Sequence, residues 1–152
     1  MQTSVTKEFT FDAAHYLTDY YGKCEKLHGH TYKLQVTVSG ELGSNGLLLD
    51  FIILKKIVKD TVLSKLDHSN LNDIFTNPTC ELIAHWIWNQ LEPLRELLKK
   101  ELANPNLSKE VNQYLNAEST NTKLDTSAFP QNLKLQEVKL WETATSFVTI
   151  TA

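Results

Sequence analysis

Two histidines separated by one residue, at the start of a segment that alternates polar and apolar side chains, most constrain how this chain can fold. His28 and His30 lead into Thr-Tyr-Lys-Leu-Gln-Val-Thr-Val, an alternation typical of a half-buried strand. Residues two apart in a strand point to the same face, so we expect the two imidazoles to lie side by side. The pattern therefore predicts a strand that carries a convergent histidine pair.

A third histidine completes a candidate metal site. His15 lies near the end of an earlier predicted strand, and pairing of the two strands would create a set of three imidazole nitrogens. Three histidines with a fourth position open to water or substrate form the ligand pattern of catalytic zinc. We therefore predict Zn²⁺ at His15, His28 and His30. Zinc is preferred to copper or iron because no methionine or carboxylate partner that would tune a redox metal accompanies the histidines.

The strands predicted from the sequence belong to an antiparallel sheet. Four segments show strand patterns, at residues 7–17, 30–42, 133–142 and 147–151. The first two follow one another with a loop between them, which favours an antiparallel pair. The length of the chain suggests a single domain over residues 1–152.

Two helices are predicted between the strand pairs. Asp50 is expected to cap a helix over residues 51–65. Asn77 and Pro78 are expected to begin a second helix, whose apolar face extends over residues 82–98. The order is therefore ββααββ, an α+β fold with a four-stranded antiparallel sheet and two helices on one face.

A polar stretch rich in Asn, Ser and Thr covers residues 103–131. A loop of this length is unusual within a compact domain. We interpret it as an insertion in the domain, with one short surface helix predicted at 109–115.

Composition excludes several classes of function. The net charge of −3 gives no global attraction to nucleic acid or to an anionic membrane. No apolar run approaches the roughly 20 residues that span a bilayer, and the N-terminus lacks the apolar core of a signal peptide. The two cysteines, Cys24 and Cys80, stand in unrelated contexts and do not suggest a disulfide framework. We therefore expect a reduced, cytoplasmic protein with neither nucleic-acid nor membrane partners.

Cys24 has three possible roles, because it precedes the histidine pair by four residues. It could be a fourth metal ligand, a buried small hydrophobe or a reactive thiolate. Its charged neighbours Lys23, Glu25 and Lys26 indicate an exposed loop, which makes burial the weakest of the three. Spacing alone does not separate ligation from reactivity.

Other polar residues carry weaker signals. Asp67 and His68 are adjacent, which fits either a solvated helix end or a functional pair. Glu142 fits either a surface carboxylate or one that accepts two N–H bonds from a planar, guanidine-like ligand. His85 lies mid-helix and is interpreted as an ordinary imidazole without a site.

Six motifs occur in order along nearly the whole chain outside the insertion. They are Phe9-Thr-Phe-Asp-Ala-Ala-His15, Cys24-x-x-x-His28-Gly29-His30, Leu48-Leu-Asp50-Phe51, Leu66-Asp67-His68, Asn77-Pro78-Thr79-Cys80-Glu81 and Glu142-Thr143. Together they resemble the 6-pyruvoyltetrahydropterin synthase family. Three residues between the cysteine and His-Gly-His look most like its 6-carboxytetrahydropterin synthase branch, which serves queuosine and 7-deazapurine synthesis. Pyruvoyl enzymes typically have a longer separation there. Members that cleave dihydroneopterin differently have Glu in place of the cysteine.

The resemblance implies a tunnelling fold that forms barrels. In such folds trimers close a β-barrel around a pore and stack into hexamers, with active sites between subunits. Closure would also pair the sheet edges that a lone domain leaves exposed.

The resemblance also implies residue roles. Zinc would be held by the three histidines, and Cys24 would be the catalytic thiolate. Asp67 and His68 would complete its relay, contributed across a subunit interface. Glu142 would anchor the guanidino edge of a pterin, with help from Thr79 and from Cys80, a position where Ser, Ala or Thr is more usual.

The implied enzyme is a zinc-dependent lyase. Its substrate would be 7,8-dihydroneopterin triphosphate, and its products 6-carboxy-5,6,7,8-tetrahydropterin, acetaldehyde and triphosphate. Lys23, Lys26 and Lys33 are candidates for positive charge near the triphosphate. The alternatives are a pyruvoyl synthase, which eliminates triphosphate without cleaving a carbon–carbon bond, and a pterin-binding scaffold without turnover.

Overall fold

The computed structural model describes residues 1–20, 22–106 and 129–152. The predicted helix at 109–115 and most of the 103–131 insertion therefore lie outside the described residues. Five strands form one sheet: β1 (Thr3–His15), β2 (His28–Gly40), β3 (Ser69–Asn70), β4 (Lys134–Trp141) and β5 (Phe147–Thr151). Their order across the sheet is β3-β1-β2-β4-β5.

The longest ladder joins β1 and β2, which pair antiparallel from Thr3 opposite Gly40 to His15 opposite His28. β4 pairs antiparallel with β2, and β5 with β4. The α+β class is confirmed, but the prediction of four antiparallel strands is wrong, because β3 pairs parallel with β1 at Ala13 and Ala14. A strand of two residues is too short to show an alternating pattern, so β3 is not predictable from periodicity.

The core lies on one face of the sheet. Along β1, Phe11 and His15 are buried and alternate with exposed residues such as Asp12. Along β2, Tyr32 and Leu34 are buried while Thr31 is exposed. This period of two is what a sheet with one covered face produces. The helices supply the cover, with fully buried side chains that include Leu54, Ile57, Ile83 and Ile87.

The first helical segment begins where the sequence predicts. It comprises α1 (Phe51–Val58), a π-helical turn (Lys59–Leu63) and α2 (Ser64–Leu66). The Asp50 carboxylate accepts a hydrogen bond from the Ile52 N–H at 2.7 Å, which confirms the predicted N-cap.

The second predicted helix is two helices, α3 (Cys80–Leu91) and α4 (Leu94–Leu102). Pro93 separates them because proline has no N–H to continue the hydrogen-bond ladder. The predicted start at Asn77-Pro78 is wrong, since Thr79 is the N-cap and accepts from the Leu82 N–H at 3.2 Å. Leu82 is 49% exposed and does not belong to the apolar face predicted for it. Among the described residues, no helix has both the length and the apolar character to cross a membrane.

Candidate active site

The β1–β2 ladder ends at a cluster of three imidazoles. His15 and His28 are its last register pair, and His30 follows two residues along β2. The Nε2 atoms of His15 and His28 are 3.1 Å apart, and those of His28 and His30 are 2.9 Å apart. His15 is fully buried, and the other two are half-buried. The structure thus brings together the three residues predicted as metal ligands.

Backbone carbonyls fix which nitrogen of two of the rings faces the cluster. His15 Nδ1 lies 2.9 Å from the Pro78 carbonyl oxygen, and His28 Nδ1 lies 2.7 Å from that of Lys26. A carbonyl only accepts, so each Nδ1 donates its proton, and when both rings are neutral each turns an unprotonated Nε2 toward the other. Two acceptors 3.1 Å apart cannot bond to each other. A cation between them satisfies both.

The spacing fits zinc. Nitrogen ligands at 2.0–2.1 Å in tetrahedral geometry are separated from each other by about 3.4 Å. The observed Nε2 separations of 2.9 and 3.1 Å need only a small expansion to reach that value. Burial is the main cause that lowers the pKa of His30; Glu142 opposes the shift, and the neighbouring His15 and His28 add smaller lowering effects. The depressed pKa favours the neutral imidazole that ligates a metal.

Neither Cys24 nor Glu142 belongs to this ligand group. The ligand atoms of the three histidines lie within 4.8 Å of one another, and among the described residues no further Cys, Asp or Glu joins that set. Cys24 lies in a 3₁₀ turn (Lys23–Glu25), is a free thiol and is half-exposed. A metal held by these three histidines would have a further position for water or substrate, and Cys24 would not be among its ligands, which favours the reactive over the ligating interpretation.

Glu142 lies beside the histidine cluster. Its Oε1 is 3.6 Å from His30 Nε2, and its side chain is 24% exposed, so it is not the outward-facing carboxylate that alternation alone suggested. Its backbone N–H donates to the Ser146 carbonyl in the turn between β4 and β5. The carboxylate therefore stands at the rim of the cluster and is partly accessible.

Thr79 and Cys80 are near this rim but have structural partners. The Thr79 hydroxyl accepts the N-cap bond of α3. The Cys80 thiol donates to the Leu140 carbonyl at 3.5 Å. Burial raises the pKa of Cys80 to about 12, and Glu142 adds to the shift. Cys80 is thus a neutral thiol that ties the start of α3 to the strand that leads to Glu142.

Asp67 and His68 form a pair next to the strands that carry the histidine cluster. His68 Nδ1 is 3.0 Å from Asp67 Oδ1, and the His68 side chain is 78% exposed. The backbone of Asp12 holds both residues, since its N–H donates to Asp67 Oδ1 at 3.0 Å and its carbonyl accepts from the His68 N–H at 2.7 Å. The first of these bonds is the largest cause of the lowered pKa of Asp67, and the bond from His68 adds to it.

Sequence reasoning missed the groups that orient these residues. The carbonyls of Pro78 and Lys26 fix the His15 and His28 rings, and the backbone of Asp12 holds Asp67 and His68. The Tyr32 hydroxyl, also unpredicted, lies 3.3 Å from His15 Nδ1 and is fully buried. No local pattern marks a carbonyl as a ring-orienting group, because every residue carries one.

Lys33, one of the three lysines predicted to supply positive charge near the triphosphate, instead contacts a carboxylate and an aromatic ring of its own chain. Its Nζ is 3.1 Å from Glu8 Oε2 and 4.7 Å from the centre of the Trp141 ring. Its position on β2 alternates with that of His30 and Tyr32, so it faces away from the histidine cluster. Lys33 is therefore a poor candidate for the triphosphate within the same chain.

Comparison with known proteins identifies the family. The family model described as 6-pyruvoyl tetrahydropterin synthase matches residues 4–119. The chain belongs to this family. A 6-carboxy-5,6,7,8-tetrahydropterin synthase from Haemophilus influenzae is 36% identical over 149 residues, covering 94% of each chain. One from Synechocystis sp. is 42% identical over 95 residues, covering 58% of this chain and 74% of the relative. The predicted family and the predicted 6-carboxytetrahydropterin synthase branch are confirmed.

Two other relatives mark the range of the family. A dihydroneopterin monophosphate aldolase from Pyrococcus furiosus is 47% identical over 87 residues, covering 57% of this chain and 73% of the relative. A solved structure, 6-pyruvoyl tetrahydropterin synthase from Caenorhabditis elegans, superimposes with a TM-score of 0.65 at 23% identity, covering 100% and 96% of the two chains. At that identity the structural likeness establishes the fold alone.

Proposed function

We propose that this protein is a zinc-dependent 6-carboxytetrahydropterin synthase, which converts 7,8-dihydroneopterin triphosphate and water to 6-carboxy-5,6,7,8-tetrahydropterin, acetaldehyde and triphosphate. The observation that carries the proposal is the cluster of three Nε2 atoms with Glu142 at its rim, in a chain related over 94% of its length to an enzyme of that name. We place it in the queuosine branch of 7-deazapurine synthesis. Its free cysteines suit the reducing cytoplasm.

His15, His28 and His30 hold the zinc in this proposal. When bound, zinc supplies Lewis-acid polarisation of the side-chain oxygens of the substrate. Glu142 accepts two hydrogen bonds from the guanidino edge of the pterin, because a carboxylate and that edge match as a planar pair. Thr79 and Cys80 line the approach to Glu142. Because their side chains already bond within the protein, they form the wall of the pterin pocket and define its shape.

Proton transfer falls to Cys24 and His68. Cys24, a free thiol in an accessible turn, removes a proton from the side chain of the substrate. His68 turns Nδ1 toward Asp67, which leaves its exposed Nε2 to return a proton on the other face of the substrate. Asp67 stays ionised because Asp12 and His68 lower its pKa.

The proposed assembly is a homohexamer of two stacked trimers. In the described residues, β1 pairs with β3 only at Ala13 and Ala14, and β5 is the last strand of the sheet. The rest of the β1 edge and the outer edge of β5 therefore present backbone groups to a neighbour, and pairing these edges between subunits would close a barrel. In that assembly the active sites lie between subunits, and Asp67 and His68 serve the site of a neighbouring chain.

Product analysis distinguishes this activity from its alternatives. Zinc-loaded protein is incubated with 7,8-dihydroneopterin triphosphate and the products are identified by mass spectrometry. Carboxytetrahydropterin together with acetaldehyde supports the proposal. Pyruvoyltetrahydropterin without acetaldehyde would assign the chain to pyruvoyl synthases. A bound but unconverted pterin would make it a scaffold without turnover, although a scaffold has no use for Cys24 and His68 together.

A further inference from the structure

An open cleft of about 460 Å³ lies at the end of the β1–β2 ladder, between His68 and the strand of the metal-binding histidines. Several of its lining residues alternate along their strands with the buried Phe11 and Tyr32, so their side chains belong to the face of the sheet opposite the helices. The lining includes Asp12, Ala14, Gly29, His30, Thr31 and His68.

The floor of this cleft is made of small residues. Ala14 and Gly29 are directly opposite each other in the β1–β2 register. The next pair on the same face is polar, Asp12 opposite Thr31, and the Thr31 hydroxyl donates to Asp12 Oδ1 at 2.5 Å. The space is therefore bounded by a small floor, a polar pair and the exposed imidazole of His68.

The fold itself does not require glycine at position 29. Among the described residues, the glycines with positive φ are Gly22 and Gly46, so the backbone at Gly29 is open to other residues. A Cβ added at Gly29 would meet only the Ala13 carbonyl oxygen at 3.7 Å, an ordinary van der Waals contact. By contrast, a Cβ at Gly40 on the same strand would lie 2.9 Å from Leu48 Cδ1. Glycine inside a strand is less stable than alanine, so Gly29 is unfavourable for the fold and leaves space in the cleft.

We infer that Gly29 is a specificity-determining position for the site of a neighbouring chain: its missing side chain opens the cleft to the hydroxyl-bearing side chain of a substrate held at that chain's histidine cluster and lets it reach His68. The inference rests on the proposed function and on its assembly. The chemistry of the cleft selects this part of the substrate. Asp12 and Thr31 offer hydrogen-bonding groups that suit hydroxyls, while Asp12 and the nearby Asp67 repel a triphosphate. The triphosphate of the bound substrate therefore extends away from these two carboxylates and out of the cleft.

Gly29→Ala tests the inference. We expect an unchanged zinc content, a melting temperature equal to or above that of the parent, and a kcat/KM reduced at least tenfold. Gly40→Ala is the matched control, and we expect the reverse: a lower melting temperature and an unchanged KM. Gly29→Ala combined with Ala14→Gly should recover most of the activity. Directly opposed Cβ atoms are about 4.5–5.5 Å apart, so removing one methyl restores the space that the other occupies.

Two results would overturn the inference. Full activity of Gly29→Ala would mean that no ligand occupies the space, and loss of zinc would mean that Gly29 serves the histidine geometry instead. Failure of the proposed function is recognised separately, because the parent enzyme would then give no product. In that case the parent and Gly29→Ala are compared by equilibrium binding of 7,8-dihydroneopterin triphosphate. Weaker binding to Gly29→Ala supports the inference. Equal binding to both proteins, or no binding to the parent, refutes it.

Discussion

Removing and restoring zinc should change the stability of this protein by an amount that follows from the histidine cluster. In the metal-free state His15 and His28 turn two acceptor nitrogens toward each other at 3.1 Å, and zinc is expected to bind the folded state there. Free zinc at about 100 times its Kd stabilises the folded state by about 2.7 kcal/mol. At about 2–4 °C per kcal/mol for a chain of this size, the melting temperature should rise by about 5–11 °C.

The assay is thermal unfolding after chelation, with and without added zinc, at a fixed protein concentration because assembly also shifts the transition. His28→Ala removes one ligand, so its zinc-induced shift should nearly disappear. His85→Ala is the matched control: His85 is an exposed histidine on α3, and its variant should keep the full shift. An equal shift in His28→Ala and the parent would refute the assignment of the metal to this cluster.

Three further predictions concern single side chains. Cys24→Ala should reduce turnover at least a thousandfold while zinc, measured by atomic absorption, stays bound, because the thiol lies outside the ligand group. Glu142→Gln should raise KM about tenfold or more, since one of two paired acceptors is lost; steady-state kinetics gives the split between KM and kcat. Glu101→Gln should raise the melting temperature at neutral pH. Glu101 is 6% exposed with Oε2 unpaired among the described residues, and its pKa is raised by burial and then by Asp60.

The pH dependence of the last variant has a definite sign. A carboxyl whose pKa is raised on folding binds more protons in the folded than in the unfolded state, so its contribution to stability falls as pH rises. The advantage of Glu101→Gln should therefore be small near pH 4 and grow through the raised pKa toward neutrality. A glutamine variant that is less stable than the parent at pH 7 would contradict this account.

Zinc loss in Cys24→Ala, or an unchanged KM in Glu142→Gln, would remove those residues from their proposed roles.

Local periodicity in the sequence determined much of this protein. The alternation after His30 and the spacing of His28 and His30 predicted a strand with convergent imidazoles, because a strand repeats every two residues whatever surrounds it. The Asp50 cap was predictable for the same reason, since its partner is two residues away. The motif set also indicated the family that the comparisons confirm.

The tertiary structure decided whatever depends on backbone groups far apart in the chain. The carbonyl of Pro78 reaches His15, and the backbone of Asp12 holds Asp67, across separations that no local pattern encodes. The same holds for β3, whose two residues become a strand only because β1 offers an edge. Backbone N–H and C=O groups are identical in nearly every residue, so only the folded arrangement shows which of them orient the site.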